Sequence, residues 1–400
     1  MSEVLARSPG LRAARRRADA MSLAAEAEDT LPPPMLEFVL QQVPMDRPWD
    51  IPNAQMIMLG VKQDFPAPGS LAARAEAMEG DAGVERAMTR ERLRALESEA
   101  DHAFADYAEA SRKLATHLEH RTTAERILAA ARARYSAGGM LADVAQADVE
   151  LAQIEADIAA EQARLLAAKA KINGLLLRPP SAPLGEPVLA EAETLGEPVD
   201  AVIARARRLR PEAATAEAKQ TAALASARAA ESEAEWPMFS LGLAYYSPTL
   251  SMPMLTAGSY GVSFTSTLPW VWGRASAVAR AERAKAAAIT DEIADAKARV
   301  ATDVASSAAV VQAETRRYQA LRDRSLPASK RAVEAAASGY ESGGTNILAL
   351  LTANRSVVEI DVMLVEAHAA LDHALAQLDW AAGTPVARVP IAQQADAVTP

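Results

Sequence analysis

The sequence predicts a mainly α-helical chain with a membrane β component: two long antiparallel α-hairpins, each preceded by a pair of β-strands. Three observations predict it. Apolar residues are 50% of the 400 residues but aromatics only 4%. Much of the apolar share is alanine, which favours long helix and buries little area per residue. The second observation is an internal repeat, one unit of about two hundred residues used twice. The third is a set of short segments in which apolar and small polar residues alternate with the period of a strand.

The repeat is clearest at its turns. RYSAGGMLADVAQADVELAQIE (Arg134–Glu155) resembles GYESGGTNILALLTANRSVVEID (Gly339–Asp361). Tyr135 pairs with Tyr340, and Gly138-Gly139 with Gly343-Gly344. After a single-residue slip, Ala147 pairs with Ala353 and Ile154 with Ile360. Upstream, Ser8-Pro9 lies opposite Arg210-Pro211, Pro34-Met35 opposite Pro237-Met238, and Phe65-Pro66 opposite Leu268-Pro269.

Each element follows in order. The first repeat spans 1–178 and opens with a helix over 8–30, ended by prolines that mark a strand start. Strands are expected over 35–43 and 54–65, a very long helix over 70–134, a Gly-Gly turn over 135–142 and a returning helix over 143–174. A Pro/Gly-rich connector, 179–209, joins the repeats. The second repeat, 210–383, has strands over 237–247 and 258–268, a long helix over 273–337, a turn over 338–345 and a returning helix over 346–381. The tail, 384–400, reads as disordered. At ~1.5 Å per residue a helix of about 65 residues is roughly 95 Å long, beyond any compact domain. Heptad-like spacing, as in Ala124, Ile127, Leu128, Ala131 and Tyr135, suits antiparallel coiled-coil packing.

Composition removes several function classes. A net charge of -10, with both signs interleaved along the helices, argues against nucleic acid, which needs a basic stripe. With no cysteine, disulfides, thiolate zinc sites and cysteine nucleophiles are excluded. No apolar run approaches the ~18 residues of a transmembrane helix. The start, MSEVLARSPGLRAARRRADA, lacks the apolar stretch of a secretory signal, which at face value says cytoplasm.

The strands argue otherwise. Phe239, Leu241, Leu243 and Tyr245 fall in phase, with Ser240, Gly242 and Ala244 between them. Tyr260, Val262 and Phe264 alternate with serine and glycine. In the first repeat Gln55, Ile57, Leu59, Val61, Gln63 and Phe65 form one set, and Met56, Met58, Gly60, Lys62 and Asp64 the other. An apolar outside and a polar inside is the pattern of a transmembrane β-barrel. A strand half-buried against a helix has the same period, but it leaves unexplained why Trp49, Trp236, Trp270 and Trp272 flank the strands. Four strands leave open edges, and membrane barrels close at eight or more, so partner chains are needed.

At this point the residues resemble a family. Two units of helix, two strands, long helix, Y-x-x-G turn and returning helix are similar to the TolC-like outer membrane efflux proteins. The similarity runs from about Leu5 to Pro385 and is most specific in YSAGGMLADVAQA, YESGGTNILALLTA and LPWVWGRASAVARAERA. PPPMLEFVLQQVP and VKQDFPAPGSLAAR look most like the outer membrane partners of heavy-metal resistance-nodulation-division exporters. The resemblance implies a homotrimer in which each protomer gives four transmembrane strands to a twelve-stranded barrel, and the hairpins form an α-barrel tunnel. It implies a passive exit duct in the outer membrane and periplasm, working with a periplasmic adaptor (membrane fusion protein) and an inner-membrane pump. Heavy-metal cations are among the expected substrates. Tyr135, Gly138, Gly139, Tyr340, Gly343 and Gly344 would then be adaptor-docking tip turns. Phe239, Leu241, Leu243, Tyr260, Val262 and Phe264 would face lipid, with the four tryptophans at its interfaces.

Two departures from the family stand out. Its best-known members ring the tunnel entrance with two aspartates of the second repeat, where this chain has Ala349 and Thr352. The first repeat keeps Asp143, which an ordinary helix N-terminus also favours. The family's signal sequence is missing from this sequence, which implies a misassigned or truncated start.

No nucleophile elbow, P-loop, dinucleotide fingerprint or HExxH occurs, so no enzyme, cofactor or catalytic residue is expected. His117 and His120 are three apart, a spacing able to hold a metal, but no nearby acid completes a set and no metal site is expected. Met56, Met58, Met252 and Met254 are read as ordinary apolar filling, although thioethers also suit soft monovalent metals. Two other classes stay open from the residues alone: a cytoplasmic coiled-coil scaffold, and a periplasmic adaptor, which carries one helical hairpin rather than two.

Overall fold

The computed structural model describes residues 2–41, 45–49, 51, 54, 56–188, 190–247 and 257–391. The chain divides into two compact units. One comprises Met1–Arg12, Arg90–Pro211 and Lys297–Pro400, and the other Ala13–Thr89 and Glu212–Ala296.

Helix α1 (Ser2–Arg7) and helix α2 (Pro9–Glu28) replace the single helix expected over 8–30. Ser8 breaks them. Its Oγ accepts the Leu11 N–H at 3.3 Å, and Pro9 sits where its missing N–H costs nothing. Strand β1 is described over Met35–Gln41, and residues 42 and 43 of the expected strand lie outside the described set. Strand β2 is Met56–Phe65; Gln55 also lies outside the described residues. Helix α3 (Ser70–Ser136) runs 67 residues without a proline, and helix α4 (Leu141–Leu175) returns. In the second repeat helix α6 (Pro211–Glu235) precedes strands β4 (Phe239–Ser247) and β5 (Ser259–Ser266).

The long helix expected over 273–337 is broken. Helix α7 (Arg274–Ala320) passes through a π-helical segment, Leu321–Ser325, into helix α8 (Leu326–Glu341). Pro327 is the physical reason, since it has no N–H and its ring crowds the carbonyl four residues back. The wider turn relieves this, and the Leu326 N–H reaches the Leu321 carbonyl instead. Helix α9 (Ile347–Ala382) closes the repeat.

Connector and tail need correction. The 179–209 connector contains strand β3 (Glu193–Leu195) and helix α5 (Val199–Leu209). The tail expected to be disordered from 384 forms strand β6 (Arg388–Pro390), antiparallel to β3. Both are ordered by burial. Val202, Ala206, Val300, Val304, Val311, Leu371, Leu375, Leu378, Val386 and Ile391 form one apolar core in the first unit. Fully burying a side chain such as Ile391 is worth ~1.5–3 kcal/mol, enough to hold a short strand. Polar groups close the joint: Arg205 donates twice to Glu197 at 2.7 Å, and the Ala387 N–H donates to Glu197 at 2.9 Å. The Val386 N–H donates to Asp379 at 2.6 Å, and Arg388 pairs with the same carboxylate. Residues 392–400 lie outside the described set.

In the second unit α3 packs on α6 through alanine. A Cβ on Gly80 would sit 2.6 Å from the Ala222 Cα, so only glycine allows this approach. Arg228 with Glu76 (2.5 Å) and Arg74 with Glu233 pin the same crossing. Among the described residues no helix is long and apolar enough to cross a membrane.

Candidate membrane sheet and hairpin tip

Strands β1, β2, β4 and β5 form one antiparallel sheet in the order β1-β2-β4-β5. Among the described residues it is open: β1 and β5 have no further strand partner and the sheet does not close on itself, whereas twelve strands are expected of an assembly. Register decides its faces. Leu36 lies opposite Val61, Val61 opposite Leu243, and Leu243 opposite Val262. The next rows are Phe38–Leu59–Tyr245–Tyr260 on one side and Gln63–Leu241–Phe264 on the other. Phe239 stacks on Phe65 at 5.1 Å and on Phe264 at 6.2 Å. Thus Phe239, Leu241, Leu243, Tyr260, Val262 and Phe264 share one face. That face is bare: Leu36 is 72% exposed, Leu243 58% and Val262 79%.

The other face carries Glu37, Lys62, Asp64, Ser240, Ser263 and Thr265 together with Gly60, Gly242 and Gly261. Lys62 and Asp64 pair at 3.7 Å. Met35, Met56 and Met58 also lie on this face; Met252 and Met254 fall outside the described residues. An exposed apolar face opposite a small polar one is the reverse of a water-soluble sheet, which hides its apolar side.

The tryptophans sit at both ends of the sheet. Trp236, Trp270 and Trp272 lie where β4 begins and β5 ends, and Trp49 lies in the β1–β2 connection at the other end. All four are exposed, Trp272 at 98%. Trp272 also holds φ 63°, which costs a side-chain-bearing residue roughly 1–2 kcal/mol. With Gly273 at φ 69° it turns the chain from strand into α7.

The tip of the hairpins belongs to the other unit. Both turns are Schellman motifs. Gly138 (φ 99°) donates to the Tyr135 carbonyl and Gly139 to the Arg134 carbonyl; Gly343 (φ 77°) and Gly344 do the same with Tyr340 and Gly339. Tyr135 and Tyr340 are therefore in the last helical turn, not in the turns expected over 135–142 and 338–345. They have also diverged. Tyr340 is buried, its ring 4.5 Å under the Arg134 guanidinium, and Arg134 donates to its carbonyl at 3.0 Å. Tyr135 is 47% exposed. Ile127, Leu128 and Ala131 of α3, Ala147 of α4, and Ile347, Leu350 and Leu351 of α9 complete this core.

The candidate entrance residues lie near the starts of α4 and α9. Asp143 is in the first turn of α4, whose cap residue Met140 offers no side-chain acceptor. In α9 that task falls to Asn346, whose Oδ1 accepts the Ala349 N–H at 3.0 Å. Thr352 alone lines a groove of about 370 Å³ between α4 and α9, with Gln146, Val149, Glu150, Leu348 and Arg355. Arg355 donates there to Glu150 at 2.5 Å and to Gln153 at 3.0 Å. The hydrogen bond to Glu150 raises the Arg355 pKa, so the guanidinium keeps its charge. Neither Arg134 nor this pair stands out in the sequence, since each contact joins residues of different repeats.

His117 and His120 differ in their surroundings. His120 Nε2 is 3.0 Å from Asp361, while the buried His117 Nδ1 has no partner. No group of three ligating side chains occurs among the described residues.

Residues 202–384 match the profile of a family described as "Outer membrane efflux protein". No curated protein sequence matches significantly. Solved structures share the fold. The outer-membrane channel OprN is 20% identical with a TM-score of 0.77, over 96% of this chain and 88% of that one. The outer membrane protein VceC from Vibrio cholerae is 17% identical with a TM-score of 0.76, over 96% and 95%. CusC, studied for transmembrane channel formation, is 18% identical with a TM-score of 0.78, over 96% and 91%. Residues 202–384 thus match the outer membrane efflux protein family, and the chain shares the fold of these solved outer-membrane channels.

Proposed function

We propose that the chain is one protomer of a homotrimeric outer membrane exit duct, a passive channel through which a tripartite exporter expels small substrates. The observation that carries this is the bare apolar face of the four-stranded sheet. Three rows of side chains cross the strands in register, and among the described residues nothing covers them and neither outer strand pairs further. Lipid satisfies the face and neighbouring copies satisfy the edges, three copies giving a closed twelve-stranded barrel. Phe239, Leu241, Leu243, Tyr260, Val262 and Phe264 face acyl chains. Trp49 anchors one interface, and Trp236, Trp270 and Trp272 the other. The hairpins line a periplasmic tunnel. Their Schellman turns, with Gly138, Gly139, Gly343 and Gly344 at the apex, meet a periplasmic adaptor coupled to an inner-membrane pump of the resistance-nodulation-division type. Heavy-metal cations are the substrates suggested by PPPMLEFVLQQVP and VKQDFPAPGSLAAR.

Asp143 serves the α4 dipole rather than an acidic constriction, since Ala349 and Thr352 supply no carboxylate to complete one. The test is biochemical. Expressed with a secretory signal in a Gram-negative host, the chain sediments with outer membranes and runs as a heat-resistant trimer in detergent. A soluble monomer overturns the proposal. Deleting the gene in its own host lowers metal tolerance if the substrate assignment holds, and unchanged tolerance rejects that assignment alone.

A further inference from the structure

Histidine is scarce, five residues in 400, and all five lie on two helices. His102, His117 and His120 are on α3, and His368 and His373 on α9. One contact differs in kind from the rest. The Nδ1 atoms of His102 and His373 are 2.6 Å apart, with the rings stacked 4.9 Å between centroids. Two ring nitrogens at that distance must share one hydrogen, one donating and the other accepting. On its far side His373 Nε2 is 3.1 Å from Asp106 Oδ1, and Asp106 Oδ2 is 2.8 Å from Lys171 Nζ on α4. The line Lys171–Asp106–His373–His102 therefore ties three helices together.

Counting protons shows what the pair tolerates. With the His373 Nε2–H given to Asp106, one hydrogen between the two Nδ1 atoms completes a neutral pair. One further proton is accommodated only if one Nδ1 stays free to accept. When both Nδ1 atoms carry a hydrogen, two N–H groups point at each other and two positive rings stack, so the contact must open.

We propose that the His102–His373 pair is an acid-sensitive clasp, which holds the α3–α9 crossing while one proton is shared and releases it when both rings are charged. Burial first, and then the neighbouring His373, push the His102 pKa below the ordinary histidine value of 6.5. Other charges act locally: Asp106 favours and Lys171 opposes charging of His102, Asp372 faces His373, and Arg388 acts on Asp372. The sign follows from the depressed value. The unfolded chain takes up this proton first, so the clasp's contribution is complete above about 6.5 and is lost as pH falls below it. Lys113 with Glu366 (2.8 Å) and His120 with Asp361 (3.0 Å) also join α3 to α9 and contribute to overall stability in their own right. Release must therefore be read at the crossing itself rather than from global melting.

The chain has no cysteine, so introduced thiols are the only labelling sites. Spin labels at E99C on α3 and Q377C on α9, both exposed positions, report the crossing by dipolar distance measurement on the reconstituted full chain diluted with unlabelled protein. The expected result is a narrow distance distribution near neutral pH that is lost at about pH 5, in the range where histidine charges. In H102Q, whose amide hydrogen-bonds but takes no proton, the narrow distribution persists at both pH values. H120Q, which removes a different imidazole, responds like the unsubstituted chain. A distribution indifferent to pH overturns the proposal, and so does a full acid response retained in H102Q.

Discussion

Replacing Val262 by arginine separates a membrane face from a water-facing one. Val262 ends the row Leu36–Val61–Leu243–Val262, the fourth of eight residues in β5. At 79% exposure it is buried by none of the described residues. If that face meets water, Val262→Arg is an ordinary surface change within about 0.5 kcal/mol of neutral. If it meets acyl chains near the middle of the bilayer, each arginine costs ~2–4 kcal/mol. Three copies in one closed barrel then cost roughly 6–12 kcal/mol, comparable to the whole stability of a small domain. Ser263→Arg, one residue on, is the internal control, since it lies on the polar face opposite Gly242. The assay is the yield of heat-resistant trimer after refolding into lipid vesicles, followed by a urea titration. Loss of trimer in Val262→Arg with near-normal yield in Ser263→Arg is expected. Equal behaviour of the two variants refutes the assignment of faces.

Three more outcomes follow from local geometry. Gly343→Ala puts a Cβ on a residue at φ 77° and is expected to destabilise the chain by about 1 kcal/mol, read as a lower midpoint in denaturant. Tyr340→Phe removes a buried hydroxyl that has no hydrogen-bond partner, so stability is expected to stay level or rise slightly. A drop of several kcal/mol would show that the hydroxyl has a partner. Glu197 is held below its ordinary pKa, first by the hydrogen bond from Arg205, so its contribution exists above about 4.5 and is lost as pH falls through the lowered value. The difference in thermal midpoint between the unsubstituted chain and Glu197→Gln therefore shrinks on acidification from pH 7 toward pH 3.

What is legible in the sequence depends on how local its cause is. Strand faces are legible because period two is local, and the runs Phe239–Tyr245 and Tyr260–Phe264 each carry it unaided. The turns are legible because a Schellman motif advertises itself through glycine. The break at Leu321–Ser325 is legible in principle, since Pro327 is written within the helical run; heptad spacing alone passes over it. The β3–β6 pairing is not legible, because Glu193–Leu195 and Arg388–Pro390 are three residues each and meet only across the apolar core that contains Val386 and Ile391. The same holds for Arg134 on Tyr340 and Arg355 on Glu150. Each is a long-range pair whose partner no local pattern names.

The single-residue slip between the repeats also acquires a physical meaning. Turn one runs Gly138-Gly139-Met140 into α4, while turn two runs Gly343-Gly344-Thr345-Asn346 into α9. The extra residue lets Asn346 occupy the cap, where its side chain satisfies the Ala349 N–H. The shorter turn leaves Met140 there, unable to accept, and a carboxylate appears at Asp143 instead. A capping amide and an acid in the first turn answer the same need, the unpaired N–H groups and positive end of the helix. Asp143 and Ala349 occupy equivalent positions, yet their different side chains mark two ways of starting a helix. Absence of an acid at Ala349 is thus accounted for by Asn346, three residues earlier, before any property of a tunnel is invoked. A duplicated chain keeps the physical requirement at each position of its fold while the residue that meets it moves, and correspondence between repeats has to be drawn at the level of the requirement.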